Sequence, residues 1–98
     1  MARFCAANDL HLISNEIYAR SVFDAKRSPP LPAFVSILSL NLKDIIDPDL
    51  VHVVYGASKD FCANGLRLGV LQTRNNGVLE SVARLRWDLF NNMIATLR

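Results

Sequence analysis

The sequence predicts an α/β fold with about three sheet strands, two parallel and one antiparallel, flanked by helices. Three observations carry that expectation. Leu10–Ile17 reads as a strand buried on both faces in the style of a parallel sheet, and Leu50–Tyr55 is a β-branched strand run. The connection between them is long enough to be a right-handed crossover. From Val78 onward, apolar residues recur at the three- and four-residue spacing of a helix lying on a sheet.

Taken in order, Met1 to Asp9 carries little pattern and reads as a frayed helix end. The run Leu10-His-Leu-Ile-Ser-Asn-Glu-Ile17 ends in Asn15-x-x-Tyr18. Polar side chains at the carboxyl end of a parallel strand face a ligand crevice. The same residues also fit a helix with an i, i+3 polar pair, and periodicity does not separate the two. Arg20 to Asp49 is irregular, because Lys26-Arg-Ser-Pro-Pro30, Pro32 and Asp47-Pro-Asp49 are turn or loop signals. Within it, Phe34–Leu40 fits either a short strand or a helical turn. Leu50-Val-His-Val-Val-Tyr55 is a β-branched strand. After the turn dipeptide Asn64-Gly65, the residues Leu66, Leu68 and Val70 alternate with Arg67 and Gly69, and the short spacer returns this strand antiparallel. Asn75-Asn-Gly77 stops it and offers a helix cap. The final helix then carries Val82, Leu85, Leu89 and Met93, widened by Phe90, Ile94 and Leu97, with Glu80, Arg84 and Asp88 opposite. Met93 and Trp87 read as core or interface residues.

Composition bounds the function. Ninety-eight residues, 51% hydrophobic and 20% charged, make one folded domain at most. The first fifty residues carry five basic and six acidic side chains and the rest six and three, which is too scattered for a nucleic-acid surface. Cys5 and Cys62 have no framework spacing and read as reduced thiols. Leu31–Leu42, the longest apolar stretch, is too short to span a membrane and is interrupted by Pro32, Ser36, Ser39 and Asn41. Asn8 and Asp9 break the first apolar run before it could serve as a signal-peptide core. A cytoplasmic location is expected, with no membrane or nucleic-acid partner.

The chemistry concentrates in Tyr55-Gly-Ala-Ser-Lys-Asp-Phe-Cys-Ala-Asn-Gly-Leu-Arg-Leu-Gly69. Two strand-like runs flank it, so one lysine and one arginine are delivered to neighbouring strand ends. A lysine there is expected to be poorly solvated, which would depress its pKa and free its amine for Schiff-base chemistry. The arginine offers a forked donor set suited to phosphate. An amine beside a phosphate anchor is what pyridoxal phosphate (PLP) requires. Other readings fit less well. Adjacent Ser58-Lys59 lacks the spacing of a Ser-x-x-Lys hydrolase. His11, His52, Cys5 and Cys62 contain no closely spaced ligand pair for zinc. Gly65-x-x-x-Gly69 is not followed by the Gly-Lys-Ser/Thr of a Walker loop.

His11-Leu-Ile-Ser-Asn-Glu-Ile-Tyr-Ala19, Ser21-Val-Phe23, Val51–Tyr55, Ser58-Lys-Asp60 and Gly65-x-Arg-x-Gly69 resemble class I/II aminotransferases, closest to the 1-aminocyclopropane-1-carboxylate synthase-like branch. The resemblance implies a partial PLP-transferase large domain over residues 1–98, its central segment, with the amino- and carboxyl-terminal parts of the family fold absent. It implies that Lys59 forms the Schiff base with the cofactor and then shuttles the proton. It assigns Ser58 and Arg67 to the cofactor phosphate, Tyr18 to the ring hydroxyl oxygen and Asn15 to the ring nitrogen. The implied substrate is an amino acid, and the implied assembly is the family's homodimer.

Two positions depart from that pattern. Asn15 stands where the family has an aspartate, so no negative charge is supplied to the pyridinium. Glu16 points to the other face of a strand and cannot replace it. Gly56 stands where a serine is usual, with the loss of one hydroxyl worth about 1 kcal/mol or more. The alternative is therefore a catalytically inactive truncated remnant with at most an interaction role.

Overall fold

Backbone hydrogen bonding organises the chain around a mixed sheet. The computed structural model describes residues 1–21, 32–88 and 93–97. In chain order the elements are α1 (Ala2–Ala7), β1 (Leu12–Asn15), β2 (Val51–Gly56), α2 (Ala57–Asp60), β3 (Leu68–Thr73), α3 (Asn76–Asp88) and β4 (Met93–Leu97). The strands lie in the order β1-β2-β3-β4. β1 runs parallel to β2, with Leu12 opposite Val51, and β3 returns antiparallel, with Gly56 opposite Gly69. The two parallel strands and the antiparallel third are those the sequence predicts.

The fourth strand corrects it. β4 pairs parallel to β3, with Leu68 opposite Met93, so Met93, Ile94 and Leu97 lie in a strand and not on the last helix. Helix α3 spans Asn76–Asp88, whereas the apolar spacing alone runs on to Leu97. A short apolar run satisfies either period, and the outer edge of β3 supplies hydrogen-bond partners that favour the strand. The proline loop Lys26–Pro30, Val22, Phe23 and Phe90 lie outside the described residues, as do the side chains of Trp87 and Met93.

β1 is also shorter and more exposed than its sequence suggests. The expectation of burial on both faces fails: Ile13 is 63% exposed. Leu12 packs towards a small core of Cys5, Ile46 and Val51, with Ala2, Ala6, Ile37, Leu42 and Leu50 around it. Ile13 and Asn15 look away from that core. Leu12 and Ile13 send apolar side chains to both faces of the strand, and the described residues cover one of those faces.

Loop chemistry follows local rules. The undecided Phe34–Leu40 segment contains a 3₁₀ turn at Ile37–Ser39, started by Ser36, whose hydroxyl accepts from Leu38 N–H at 3.2 Å. Asp47 does the same for the turn Pro48–Leu50, accepting from Asp49 N–H at 2.9 Å. Asn75 accepts from Val78 N–H at 3.0 Å and starts α3, as the turn signal there suggests. Among the described residues no helix is long and apolar enough to cross a membrane.

The crossover is stitched to the sheet by Glu16. Its carboxylate, 8% exposed, accepts from Ser14 Oγ (3.2 Å), Ser36 Oγ (3.1 Å) and Ile37 N–H (2.9 Å). A buried charge needs such partners. These bonds fix Glu16 on the core side, opposite to Asn15, in keeping with the alternation of a strand.

Candidate functional site

The sheet register decides which residues can meet. The carboxyl ends of β1 and β2 lie side by side, since Asn15 is opposite Val54 and Glu16 N–H still donates to Val54 carbonyl at 2.9 Å. The β2–β3 ladder closes at Gly56–Gly69; carried two residues further, it would set Ser58 opposite Arg67. Asn15, Tyr18, Ser58, Lys59 and Arg67 therefore occupy one rim of the sheet. That rim is where open α/β sheets bind ligands.

Lys59 sits in the single helical turn α2, which begins directly after β2. Its ammonium lies 6.0 Å from the centroid of the Tyr18 ring, at the outer limit of a cation–π contact. Tyr18 is 56% exposed and Lys59 is exposed too. The expectation of a poorly solvated lysine is not met by this chain, because nothing among the described residues covers the rim above α2. Ser58, beside it, is half-buried.

Arg67 caps the 3₁₀ turn Asn64–Leu66 in the left-handed conformation, φ 50°. Its guanidinium donates to the Asn64 carbonyl at 3.3 Å, so it lies over its own turn. Cys62, on the same connection, also has positive φ, 51°. Left-handed backbone costs about 1–3 kcal/mol in a non-glycine residue and clusters at functional sites. Asn15 is the last residue of β1, and its side-chain oxygen accepts from Ile17 N–H at 3.3 Å, which starts the turn that carries Tyr18.

Gly56 has a steric role. A Cβ there would lie 3.3 Å from the Leu68 carbonyl oxygen and 3.8 Å from Ile17 Cδ1. A serine would need the facing strand to give by a few tenths of an ångström.

The residue that sequence reading passed over is Asp60. Its carboxylate accepts from Arg20 N–H (2.9 Å), Ser21 Oγ (2.5 Å) and Tyr55 Oη (2.9 Å). The Ser21 hydroxyl, with help from Arg20 N–H and Tyr55, holds the Asp60 carboxyl below its ordinary range. Burial first, and then the bond to Asp60, push the Tyr55 phenol up. The signal available was an acid adjoining the lysine, in Ser58-Lys59-Asp60.

Two other features lie elsewhere. His11 Nδ1 is 2.6 Å from His52 Nε2, their rings stack at 4.9 Å, and His52 Nδ1 is 2.7 Å from Thr73 Oγ. The fold thus makes a histidine pair that spacing does not reveal, yet no cluster of three metal-ligating side chains exists among the described residues. Cys5 is buried and Cys62 exposed, both free. A cavity of about 920 Å³ opens at the opposite rim, lined by Ile37, Leu42, Ile46, Val51 and Thr73. It contains none of the five rim residues.

The family model for class I and II aminotransferases matches residues 1–91. The chain belongs to the class I and II aminotransferase family. It is 42% identical over 97 residues to a probable aminotransferase, sirI, of Leptosphaeria maculans, covering 96% of this chain and 22% of that protein. A probable inactive 1-aminocyclopropane-1-carboxylate synthase-like protein 2 of Mus musculus is 42% identical over 79 residues, covering 81% and 12%. 1-Aminocyclopropane-1-carboxylate synthase 2 of Oryza sativa subsp. japonica is 37% identical over 87 residues, covering 87% and 17%. This aminotransferase-family chain thus spans about an eighth to a fifth of the length of these relatives. No solved structure matches it.

Class I and II aminotransferases and 1-aminocyclopropane-1-carboxylate synthases are PLP-dependent enzymes. The donor set on the rim fits that cofactor. It comprises a primary amine, a phenol near it, a hydroxyl beside the amine and a guanidinium on the neighbouring turn.

Proposed function

We propose that residues 1–98 are the central segment of the large domain of a PLP-dependent aminotransferase or 1-aminocyclopropane-1-carboxylate synthase-like enzyme. In this reading it is a cytoplasmic enzyme acting on an amino acid, with a homodimer as its full assembly. The observation that carries the proposal is the convergence of Lys59, Tyr18, Ser58, Arg67 and Asn15 on one rim, with the Lys59 ammonium 6.0 Å from the Tyr18 ring.

Each side chain has a separable task. Lys59 would hold the cofactor through its amine, and the same amine is the group that would take and return a proton at the substrate carbon. Arg67 and Ser58 hold the phosphate, Arg67 after its guanidinium swings away from the Asn64 carbonyl. Tyr18 would donate to the ring hydroxyl oxygen. Asn15 would meet the ring nitrogen with an amide that supplies no charge. When bound, PLP supplies an electron sink for the carbon next to the substrate amine.

Borohydride reduction of the chain after mixing with PLP tests this reading. Stable labelling is expected at Lys59 and is expected to vanish in Lys59→Ala. Labelling spread over surface lysines, unchanged by that substitution, would favour the second reading. That reading is an inactive remnant. Asn15 and Gly56 favour it, because each removes a group from the family's binding pattern.

A further inference from the structure

We propose that Asp60 is a positioning residue that fastens the turn carrying Tyr18 to the helix carrying Lys59. The inference concerns a residue adjoining the proposed cofactor site, and its consequence for PLP rests on the reading above.

Both partners of the Lys59–Tyr18 pair are weakly held by packing. Tyr18 is 56% exposed and follows the last residue of β1, beyond the ladder. Lys59 is exposed in a helix of four residues. Side chains so placed sample many rotamers unless their backbones are fixed. The two backbones are distant in sequence, and beyond the β1–β2 ladder Asp60 bonds one to the other through its side chain.

Its two oxygens receive donors from both sides. Oδ1 accepts from Ser21 Oγ; Oδ2 accepts from Arg20 N–H and from Tyr55 Oη. Arg20 and Ser21 belong to the turn after β1, Tyr55 to the end of β2 and Asp60 itself to α2. Hydrogen bonds to an ionised acceptor are about twice as strong as neutral ones. The turn is hydrogen-bonded within itself, since Ala19 N–H donates to the Glu16 carbonyl and Ser21 N–H to the Tyr18 carbonyl, each at 3.0 Å. Ser21 is therefore held by Asp60 through its side chain and bonded through its backbone to Tyr18. Glu16, at the start of the turn, is in turn anchored by its buried carboxylate.

Asp60 need not touch the cofactor to matter. Near-attack geometry tolerates little error, and a displacement of about 1 Å can reduce a rate a hundredfold. Losing the bonds would leave Lys59 and Tyr18 intact but independent.

The test compares the full chain with Asp60→Asn, Asp60→Ala and Ser21→Ala, using two readouts. The first is amide hydrogen exchange at Arg20, which needs no cofactor. Exchange is expected to rise at least about tenfold in both Asp60 variants and less in Ser21→Ala, which keeps the carboxylate. Amides in β2 and β3 should be unchanged, which separates release of the turn from unfolding. The second readout is borohydride-trapped PLP at Lys59, expected to fall several-fold in the Asp60 variants at subsaturating PLP. Unchanged Arg20 exchange would overturn the clamp. Faster exchange with undiminished trapping would overturn the positioning role. If the unsubstituted chain traps no PLP at Lys59, the cofactor reading and the positioning role both fail, whereas Arg20 exchange still decides whether the carboxylate holds the turn.

Discussion

Removing the Glu16 carboxylate should detach the crossover segment from the sheet. Three donors reach one carboxylate oxygen at 2.9–3.2 Å. At about 1.5–3 kcal/mol for each bond to a charged group, the gross contribution is about 4.5–9 kcal/mol. Desolvating an ion that is 8% exposed opposes this by several kcal/mol. The expected net loss in Glu16→Ala is about 2–3 kcal/mol. Glu16→Gln keeps an oxygen for the same donors but removes the charge, so about 1–1.5 kcal/mol should be lost. Urea unfolding measures both. With a slope of about 1 kcal/mol per molar, the midpoint should fall by about 2–3 M in the alanine variant and about 1 M in glutamine. Ser36→Ala removes one donor and should show a coupling of at least about 0.5 kcal/mol with Glu16→Gln. A Glu16→Ala midpoint within about 0.5 M of the unsubstituted chain would refute the stitching role.

Four further outcomes are expected. Burial, and next the neighbouring His11, lower the His52 pKa, against a smaller opposing pull from Asp49. The folded state therefore favours neutral His52, whose contribution to stability is complete above the unfolded value of about 6.5 and is lost as pH falls through the depressed folded value. Urea midpoints between pH 8 and 5 should show that slope, reduced in His52→Asn. Gly65→Ala should stabilise the chain by about 0.4–1 kcal/mol in urea unfolding, because Gly65 has no positive φ and an added Cβ meets nothing within 4 Å. Asn75→Ala should cost about 1–2 kcal/mol, with helix content falling in circular dichroism, since the side chain caps α3 and also donates to the Asp49 carbonyl at 3.2 Å. Asp60→Asn should lower the Tyr55 pKa in ultraviolet titration, because the carboxylate helps to hold the phenol protonated.

What the sequence revealed was largely what depends on neighbours along the chain. The β-branched run Val51–Tyr55, the return after it and the cap at Asn75 are local decisions, and all three are present. The delivery of Lys59 and Arg67 to neighbouring strand ends was legible because a short connection joins β2 to β3. Positions decided by tertiary contacts were not. Asn64-Gly65 signals a left-handed glycine, yet the left-handed residues on that connection are Cys62 and Arg67. The strand at Met93–Leu97 depends on the open edge of β3, which no helical period can register. The His11–His52 pair and the Arg20 and Ser21 donors on Asp60 join residues about forty positions apart, which the parallel register brings together.

The mixed order of the sheet also sets an assembly sequence for the rim. The loop from Gly56 to Leu68 is about a third as long as that from Asn15 to Val51, so closing it is cheaper by about 1 kcal/mol of chain entropy. Lys59, Ser58 and Arg67 should thus be drawn together early, while Tyr18 and Asn15 arrive when the distant strand docks. Pulse labelling during refolding should find β2 and β3 amides protected before those of β1. The half of the rim assigned to the phosphate would form as an early nucleus, and the half assigned to the ring would be the last to be recruited.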